Sequence, residues 1–167
     1  MARVLKARKN PLTVELLFLD GEEAFVDWYL GEDHTYGSRH YVREASRTGD
    51  LARIKAMILV DMIGDRDLVI KRESNSTAWL TDLIWSSARS LGHGAHFVAE
   101  PYAVEDDHIP FLQAGVPAVN LSDMDYPPWH TPDDTLDKVS ARSMEVVGRV
   151  LTAALPKIEA RLLGRTR

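Results

Sequence analysis

Apolar residues occur along this chain in short runs of strand length, separated by longer stretches in which they recur at helical spacing. The short runs predict five strands and the longer stretches predict four helices. The predicted strands are residues 13–19, 54–62, 68–72, 96–99 and 118–121. The predicted helices lie near residues 35–46, 75–91, 109–114 and 141–163. This alternation of strands and helices favours an α/β layer structure.

The last predicted helix has the clearest signals at its start and along one face. Ser140 is a candidate N-cap, and Pro156 is expected to kink or split the helix. Apolar residues recur along the predicted buried face at Met144, Val147, Leu151, Ala154 and Ile158.

Composition limits the classes of protein to which the chain could belong. Its 167 residues suffice for one domain that buries roughly two thirds of the surface of the unfolded chain. A net charge of −5 argues against a polyanion-binding surface, so no nucleic-acid partner is expected. The chain has no apolar run of the roughly 20 residues that a membrane span needs, and residues 1–4 do not resemble the apolar region of a secretory signal. Since there is no cysteine, any metal ligands must be histidines and carboxylates.

Two adjacent glutamates, Glu22 and Glu23, follow the first predicted strand in the sequence Asp20-Gly21-Glu22-Glu23. In open α/β sheets the carboxyl ends of strands are where chemistry is placed. One such carboxylate can bind a cation while its neighbour handles a proton. Because His130 also follows a predicted strand, after a Pro-rich turn, a metal site built from Glu23 and His130 is predicted.

Five motifs extend this hypothesis over nearly the whole chain. They are LFLDGEEAF at 17–25 followed by Trp28, YGSRH at 36–40, LVDMIG at 59–64, DDHIP at 106–110 and WHT at 129–131. In order and spacing they resemble the animal-type zinc-dependent glutaminyl cyclases, which belong with the M28 metallo-aminopeptidases. The resemblance implies a three-layer α/β/α fold around a mixed, mostly parallel sheet, like that of zinc aminopeptidases. Residues 1–167 would form a single domain, the C-terminal portion of the catalytic domain.

The same resemblance implies roles for the charged residues. Glu22 would be the general acid/base, whereas Glu23 and His130 would bind Zn²⁺ together with an aspartate from further upstream. Asp61 and Asp106 would form a hydrogen-bonded network beside the zinc that relays protons near neutral pH. The alternatives are a solvated acidic turn for the two glutamates and a surface histidine for His130.

The DDHIP motif also allows a purely structural role. Asp106 and Asp107 could each cap the short helix that follows, with Pro110 in its first turn. We favour capping for Asp107, function for Asp106 and a structural role for His108. His34, His40, His93 and His96 are expected to have no function.

Two tryptophans favour the cyclase branch. By resemblance, Trp28 and Trp129 wall the pocket that receives the glutamine side chain, and such aromatic walls exclude water. The alternative for each is packing in the core. The implied reaction is attack by the free α-amine of an N-terminal glutamine on its own γ-carbonyl, which releases ammonia. Asn120 stands where the animal enzymes carry a histidine, and Asp125 stands where they carry an aromatic residue.

The front of the chain differs most from the family. Relatives carry roughly a hundred further residues upstream, a scale consistent with usual domain sizes. Residues 1–9 would be the tail of a helix, with Val4, Leu5 and Ala7 as its apolar remnants. Two ligands are one fewer than catalytic zinc normally keeps, so weak zinc binding is expected unless Asp61 or a partner chain supplies the third. An open apolar sheet edge would favour a homo-oligomer.

Two other functions are considered alongside the cyclase, whose substrate would be a peptide with an N-terminal glutamine. An M28-type aminopeptidase would use water as its nucleophile and two metals, with Asp61 then a ligand of the second. A non-catalytic remnant would keep the fold and bind peptide ends or another subunit. For a full-length form, the resemblance implies a periplasmic or secreted location.

Overall fold

The computed structural model describes residues 1–29 and 33–165. Its helices are α1 (Ala2–Ala7), α2 (Tyr36–Thr48), α3 (Ala78–Ser90), α4 (His108–Gln113) and α5 (Ala141–Leu162). Its strands are β1 (Met57–Val60), β2 (Ile70–Glu73), β3 (Phe97–Tyr102) and β4 (Ala118–Leu121). Short 3₁₀ turns occur at Asp50–Arg53, Gly94–His96 and Leu136–Lys138. In the part of the chain so described, no helix has the length and apolar character needed to cross a membrane.

The strands pair in parallel. β1 pairs with β4 from Met57–Ala118 to Val60–Leu121, and β2 pairs with β3 up to Glu73–Tyr102. β2 lies beside β4, so that the pairs share one layer. Because parallel strands end at the same edge, residues that follow β1, β2 and β4 are brought to one side of the molecule.

Helices cover both faces of the strands, as the three-layer fold requires. On one face, α3 and α5 contribute side chains such as Trp85 and Val147 to the main core. On the other face, Phe111 of α4 packs in a smaller cluster, against which α2 also lies. β4 alternates between them, since Val119 belongs to the main core and Ala118 to the smaller cluster. The predicted α/β/α arrangement is thereby confirmed.

Helix α5 begins as predicted but is not split. The side chain of Ser140 accepts a hydrogen bond from the backbone N–H of Arg142, and the helix then continues through Pro156 to Leu162. Proline in a helix interior costs about 3 kcal/mol, but here packing of the opposite face in the core outweighs that cost. The predicted face is buried except at Met144, which is 46% exposed. The buried members are Val147, Leu151, Ala154 and Ile158.

The predicted strand at residues 13–19 does not form. Those residues belong to no strand, and Phe18 is 91% exposed. The apolar pattern is typical of a buried strand, but a strand needs a neighbour with which to exchange backbone hydrogen bonds. Nothing else in the described residues pairs with this segment in a ladder. The other four predicted strands each overlap an observed strand.

The first residues of the chain are helical, as expected. α1 ends at Ala7, and Leu5 is its buried side chain. Arg8, which directly follows α1, forms an ion pair with the buried carboxylate of Glu159 in α5. This ion pair ties the start of the chain to the outer helix layer.

Candidate active site

The backbone of residues 20–22 is held by the start of helix α2. The N–H groups of Thr35, Tyr36 and Gly37 donate to the carbonyls of Glu22, Gly21 and Asp20, at 2.8, 2.8 and 3.0 Å. The first N–H groups of a helix have no partner within the helix, so they are free to bind another segment. The positions of the two adjacent glutamates are therefore set by α2, even though the preceding strand does not form.

Gly37 permits this close approach, and its replacement by alanine is expected to disturb the site. A Cβ at position 37 would lie 2.5 Å from the carbonyl oxygen of Asp20 and 2.9 Å from its backbone nitrogen. Because both atoms are backbone, the loop must move, at a cost of about 1–3 kcal/mol in the free energy of unfolding. Urea unfolding measures this loss.

The matched control is Gly148→Ala in helix α5, where an added Cβ would meet no atom within 4 Å. That variant should gain about 0.5–1 kcal/mol, since alanine is the better helix former. Equal stability of Gly37→Ala and wild type would contradict a tight α2–loop contact.

Glu22 lies among other carboxylates. Partial burial and, to a smaller extent, the charges of Asp106, Glu23, Asp61 and Asp107 in that order together raise its pKa to about 8. The carboxyl groups predicted from separate motifs are thus brought together at one edge of the sheet. A carboxyl group with so high a pKa can both accept and release a proton near neutral pH, as a proton-transferring group must.

Asp106 is one of two buried acids in this group, together with Asp107. Its Oδ2 accepts a hydrogen bond from Nδ2 of Asn120 at 2.9 Å, and its Oδ1 accepts one from the backbone N–H of Asp107 at 2.6 Å. The pKa of Asp106 is raised to about 6, mainly by burial. The hydrogen bond from the Asp107 N–H lowers the pKa, and the charge of Asp61 raises it. Asn120, noted in the sequence only as a departure from the animal enzymes, is therefore a side-chain hydrogen-bond donor to this carboxylate.

Asp61 directly follows β1, and its N–H donates to the carbonyl of Leu121 at 3.2 Å. Its side chain reaches solvent, yet the surrounding protein is enough to raise its pKa through desolvation, with a further contribution from the charge of Glu23. Asp61 thus interacts electrostatically with both the predicted proton-relay residue Asp106 and the predicted metal ligand Glu23. The hydrogen-bonded network between Asp61 and Asp106 stays a prediction.

Glu23 and His130 converge across the fold. Nε2 of His130 lies 2.6 Å from Oε1 of Glu23, although the two residues are 107 positions apart. His130 has a φ of 57°, a strained left-handed conformation for a residue other than glycine, and such strain concentrates at functional sites. Carboxylate oxygen and imidazole nitrogen are both common zinc ligands. The pair therefore fits part of a zinc site.

The geometry supplies two such ligands rather than three. In the two ranges that the structure covers, no group of three or more His, Asp or Glu side chains is arranged to hold a metal ion. Asp61 is accordingly not placed with Glu23 and His130 as a third ligand. Catalytic zinc normally has three protein ligands, so the pair is an incomplete set.

Both predicted pocket tryptophans stack on histidines. Trp129 stacks on His130 with ring centroids 4.2 Å apart, and Trp28 stacks on His34 with centroids 4.3 Å apart. Trp129 is 45% exposed and Trp28 is only partly buried, so neither packs in the core. The stacking on His34 was missed in the sequence, where nothing pairs residues 28 and 34.

The predicted N-cap function of Asp107 is wrong. Asp107 occupies the N-cap position of α4, but its side chain makes no capping hydrogen bond. Asp107 is 4% exposed, and burial raises its pKa. A hydrogen bond from the side chain of Ser38 in α2 lowers the pKa but does not cancel the effect of burial. Asp107 therefore connects α4 to α2, the helix that also holds the Glu22 loop.

Known proteins are similar to this chain over most of its length. A model of Peptidase family M28 matches residues 1–155. The glutaminyl-peptide cyclotransferase of Boiga irregularis is 33% identical over 165 residues, covering 86% of this chain and 45% of that protein. The glutaminyl-peptide cyclotransferase of Drosophila melanogaster is 32% identical over 148 residues, covering 76% of this chain and 42% of that protein.

Among solved structures, the crystal structure of an Acidobacteriales bacterium glutaminyl cyclase matches with a TM-score of 0.82 and 43% identity. The match covers 86% of this chain and 52% of that one. The chain thus spans about half the length of these relatives. M28 enzymes and glutaminyl cyclases are generally zinc-dependent. With most of its length matched by the family model and its fold shared with glutaminyl cyclases, this chain belongs to Peptidase family M28.

Proposed function

We propose that this chain carries catalytic groups of a zinc-dependent glutaminyl-peptide cyclotransferase, which converts the N-terminal glutamine of a peptide into pyroglutamate. The observation that carries the proposal is the 2.6 Å approach of His130 to Glu23, directly beside a Glu22 whose pKa is raised to about 8. A ligand pair next to a protonatable carboxylate suits a reaction that needs both an electrophile and a proton shuttle. The similarity to glutaminyl cyclases at up to 43% identity supports it.

The reaction forms one C–N bond and breaks another. The substrate's α-amine nitrogen attacks the γ-carbonyl carbon of the same glutamine, and the γ-amide nitrogen leaves as ammonia. Glu22 takes a proton from the attacking amine and returns it to the leaving nitrogen, so that its own protonation state is restored. A zinc ion held by Glu23 and His130 would supply polarisation of the γ-carbonyl oxygen.

The remaining residues orient the substrate and manage protons. Asp106 and Asp61 help to raise the pKa of Glu22 through their charges, so its carboxylate is a strong enough base to take the amine proton near neutral pH. Trp28 and Trp129 present partly exposed aromatic faces that would enclose the glutamine side chain and keep water from the carbonyl.

Calorimetric titration with zinc tests the metal site. Because two ligands are one fewer than usual, binding is expected to be weak, at one ion per chain, and lost in both Glu23→Ala and His130→Ala. The control is His40→Ala, which removes an exposed histidine of α2 and should leave the titration unchanged. Zinc binding that survives in both ligand variants would contradict the assignment.

An assay with two peptides tests the reaction. A peptide that begins with glutamine should lose ammonia and gain a blocked amino terminus, whereas a peptide that begins with leucine should stay intact. Release of free amino acids would instead favour an aminopeptidase. That second candidate draws support from Asp61, whose pKa responds to the charge of Glu23 and which could hold a second metal.

We further propose that residues 1–167 are the C-terminal portion of a catalytic domain and associate with a second copy through the edge at β1. β1 pairs only with β4 among the described strands, and its Val60 is 40% exposed. Leu16 and Phe18, which lie within residues 13–19 that form no strand, also expose apolar surface of the kind that pairs with another chain. Analytical ultracentrifugation should detect a dimer or larger assembly; a monodisperse monomer would refute the proposal.

A further inference from the structure

A buried carboxylate outside the predicted site makes five hydrogen bonds. Glu73, at the end of β2, is 3% exposed. Its Oε1 accepts from the backbone N–H and Nδ2 of Asn75, at 2.9 and 2.8 Å. Its Oε2 accepts from the N–H and Oγ of Ser76 and from Nε2 of His108, at 2.7, 2.9 and 3.1 Å.

These donors keep Glu73 ionised. Burial by itself raises its pKa, but the hydrogen bonds from His108, Asn75 and Ser76 outweigh burial and hold the pKa at about 2. A buried charge with this many partners is costly to assemble and is weak evidence for stability as such. Its position in the fold therefore calls for another explanation.

One chain of hydrogen bonds leads from Glu73 to the predicted proton relay. Ser76 donates its hydroxyl to Glu73, and the same Oγ accepts from the backbone N–H of Asn120 at 3.0 Å. Asn120 then donates Nδ2 to Asp106 at 2.9 Å. The backbone and the side chain of Asn120 are thus held from opposite ends, with Glu73 at one and Asp106 at the other.

A second connection runs through helix α4. His108 is the first residue of α4, is fully buried, and donates Nε2 to Glu73. Its Nδ1 is a buried atom with no hydrogen-bond partner among the described residues. Leaving such an atom unpaired costs stability. The hydrogen bond from Nε2 to Glu73 is therefore the interaction that determines the orientation of the imidazole. Asp106 lies two residues before His108, directly before the N-cap residue of α4, so the position of His108 also constrains the backbone of Asp106.

We propose that Glu73 is a positioning residue that orients the Asp106 carboxylate toward Glu22, through Ser76 and Asn120 on one side and His108 on the other. The inference rests on the proposed function for the role of Asp106 in turnover. Glu73 itself touches neither substrate nor metal. It holds Asn120 and the start of α4 at His108 in place, and these two determine the orientation of the Asp106 carboxylate.

The test compares Glu73→Gln with a matched control, Glu159→Gln. Glu159 is also a buried carboxylate, 4% exposed and paired with Arg8, but it lies in α5 and shares no contact with the chain of hydrogen bonds to Asp106. Both variants should lose stability. Only Glu73→Gln should speed the exchange of the Asn120 side-chain amide protons with water, by about tenfold or more, as followed by NMR.

Kinetics supply a second readout. Glu73→Gln should lower kcat about 10- to 100-fold with little change in KM, as loss of a residue supporting a catalytic group does, while Glu159→Gln leaves kcat unchanged. His108→Gln, which retains a donor able to reach Glu73, should keep more activity than His108→Leu. Ser76→Ala is a milder change that removes only the link between Glu73 and the backbone N–H of Asn120. It replaces Glu73→Gln in the test if Glu73→Gln does not fold.

The outcomes separate the two proposals. A folded Glu73→Gln or Ser76→Ala variant with wild-type exchange at the Asn120 amide overturns the positioning role. If the wild-type protein cyclises no glutamine peptide, the proposed function fails, yet amide exchange still decides whether Glu73 orients Asn120 and Asp106. Equal acceleration in Glu159→Gln would mean general loosening of the fold and would also overturn the inference.

Discussion

Replacement of Glu22 by glutamine is expected to lower kcat for cyclisation about 10²- to 10⁴-fold, the range typical of losing a general acid/base. The amide has nearly the same size, but it cannot take the amine proton or return it to the leaving nitrogen. KM should change little, because Trp28, Trp129 and the metal pair remain in place. Steady-state kinetics with a glutamine peptide separates the two parameters.

The control for this substitution is Glu15→Gln on the segment that leads to the site. Glu15 is an exposed carboxylate that accepts a hydrogen bond from Tyr41, away from the acidic cluster. It should keep wild-type turnover. Zinc titration of Glu22→Gln should resemble that of wild type, since Glu22 is not a predicted ligand. A kcat within a factor of about two of wild type would exclude Glu22 as the proton shuttle.

Asp106→Asn is expected to stabilise the metal-free chain at pH 8 while reducing turnover. Burial raises the pKa of Asp106 to about 6 from its ordinary value of 3.8, so ionisation is unfavourable in the folded state. The penalty is fully present above pH 6 and disappears as the pH falls through 6 toward 4. Two pKa units correspond to a penalty of about 3 kcal/mol in the free energy of unfolding, which the asparagine variant avoids. A poorer hydrogen bond between the new amide and Asn120 should cost that variant about 1 kcal/mol.

The net gain of about 2 kcal/mol should therefore be seen at pH 8 and should vanish near pH 4. The other charged or titratable groups that interact with Asp106 include Glu22, Asp61, Asp107, His108 and Tyr102, and they contribute their own pH dependence in both proteins. Urea unfolding at both pH values measures the difference.

An exposed aspartate provides the comparison. Asp82 pairs with Arg72 at the surface, and Asp82→Asn should change stability by less than about 1 kcal/mol at either pH. If Asp106→Asn were less stable than wild type at pH 8, the carboxylate would be favourably solvated where it lies. Stabilisation combined with lost activity would identify Asp106 as a residue whose function is maintained at a cost in stability.

Local patterns identified most of the secondary structure. The helical spacing of apolar residues located α5 from its N-cap at Ser140, and the β4 run was predicted with its observed bounds. These succeeded because their signals are local and the tertiary structure agrees with them. Of the two outcomes expected at Pro156, a split does not occur, since the sequence shows the local penalty but not the core packing that outweighs it.

The candidate site was predicted less completely. Motifs selected Glu22, Glu23 and His130, but no spacing rule could show that Glu23 and His130 would lie 2.6 Å apart. Asn120 was noticed only as a difference from relatives, and Glu73 was not noticed at all. Hydrogen-bond partners from separate strands leave no periodic signal in a sequence, so these two residues could be found only in the folded structure.

By itself, then, the sequence determined the α/β class, the positions of most helices and strands, and the carboxylates available for chemistry, because these follow from local periodicity and residue type. The tertiary structure decided which groups meet. Parallel strands bring Asp61, Asn120 and Glu73 to one edge, and burial there raises the pKa of Asp106 while donors lower that of Glu73. It also decided that residues 13–19 form no strand, since a strand exists only with a neighbour to share its hydrogen bonds.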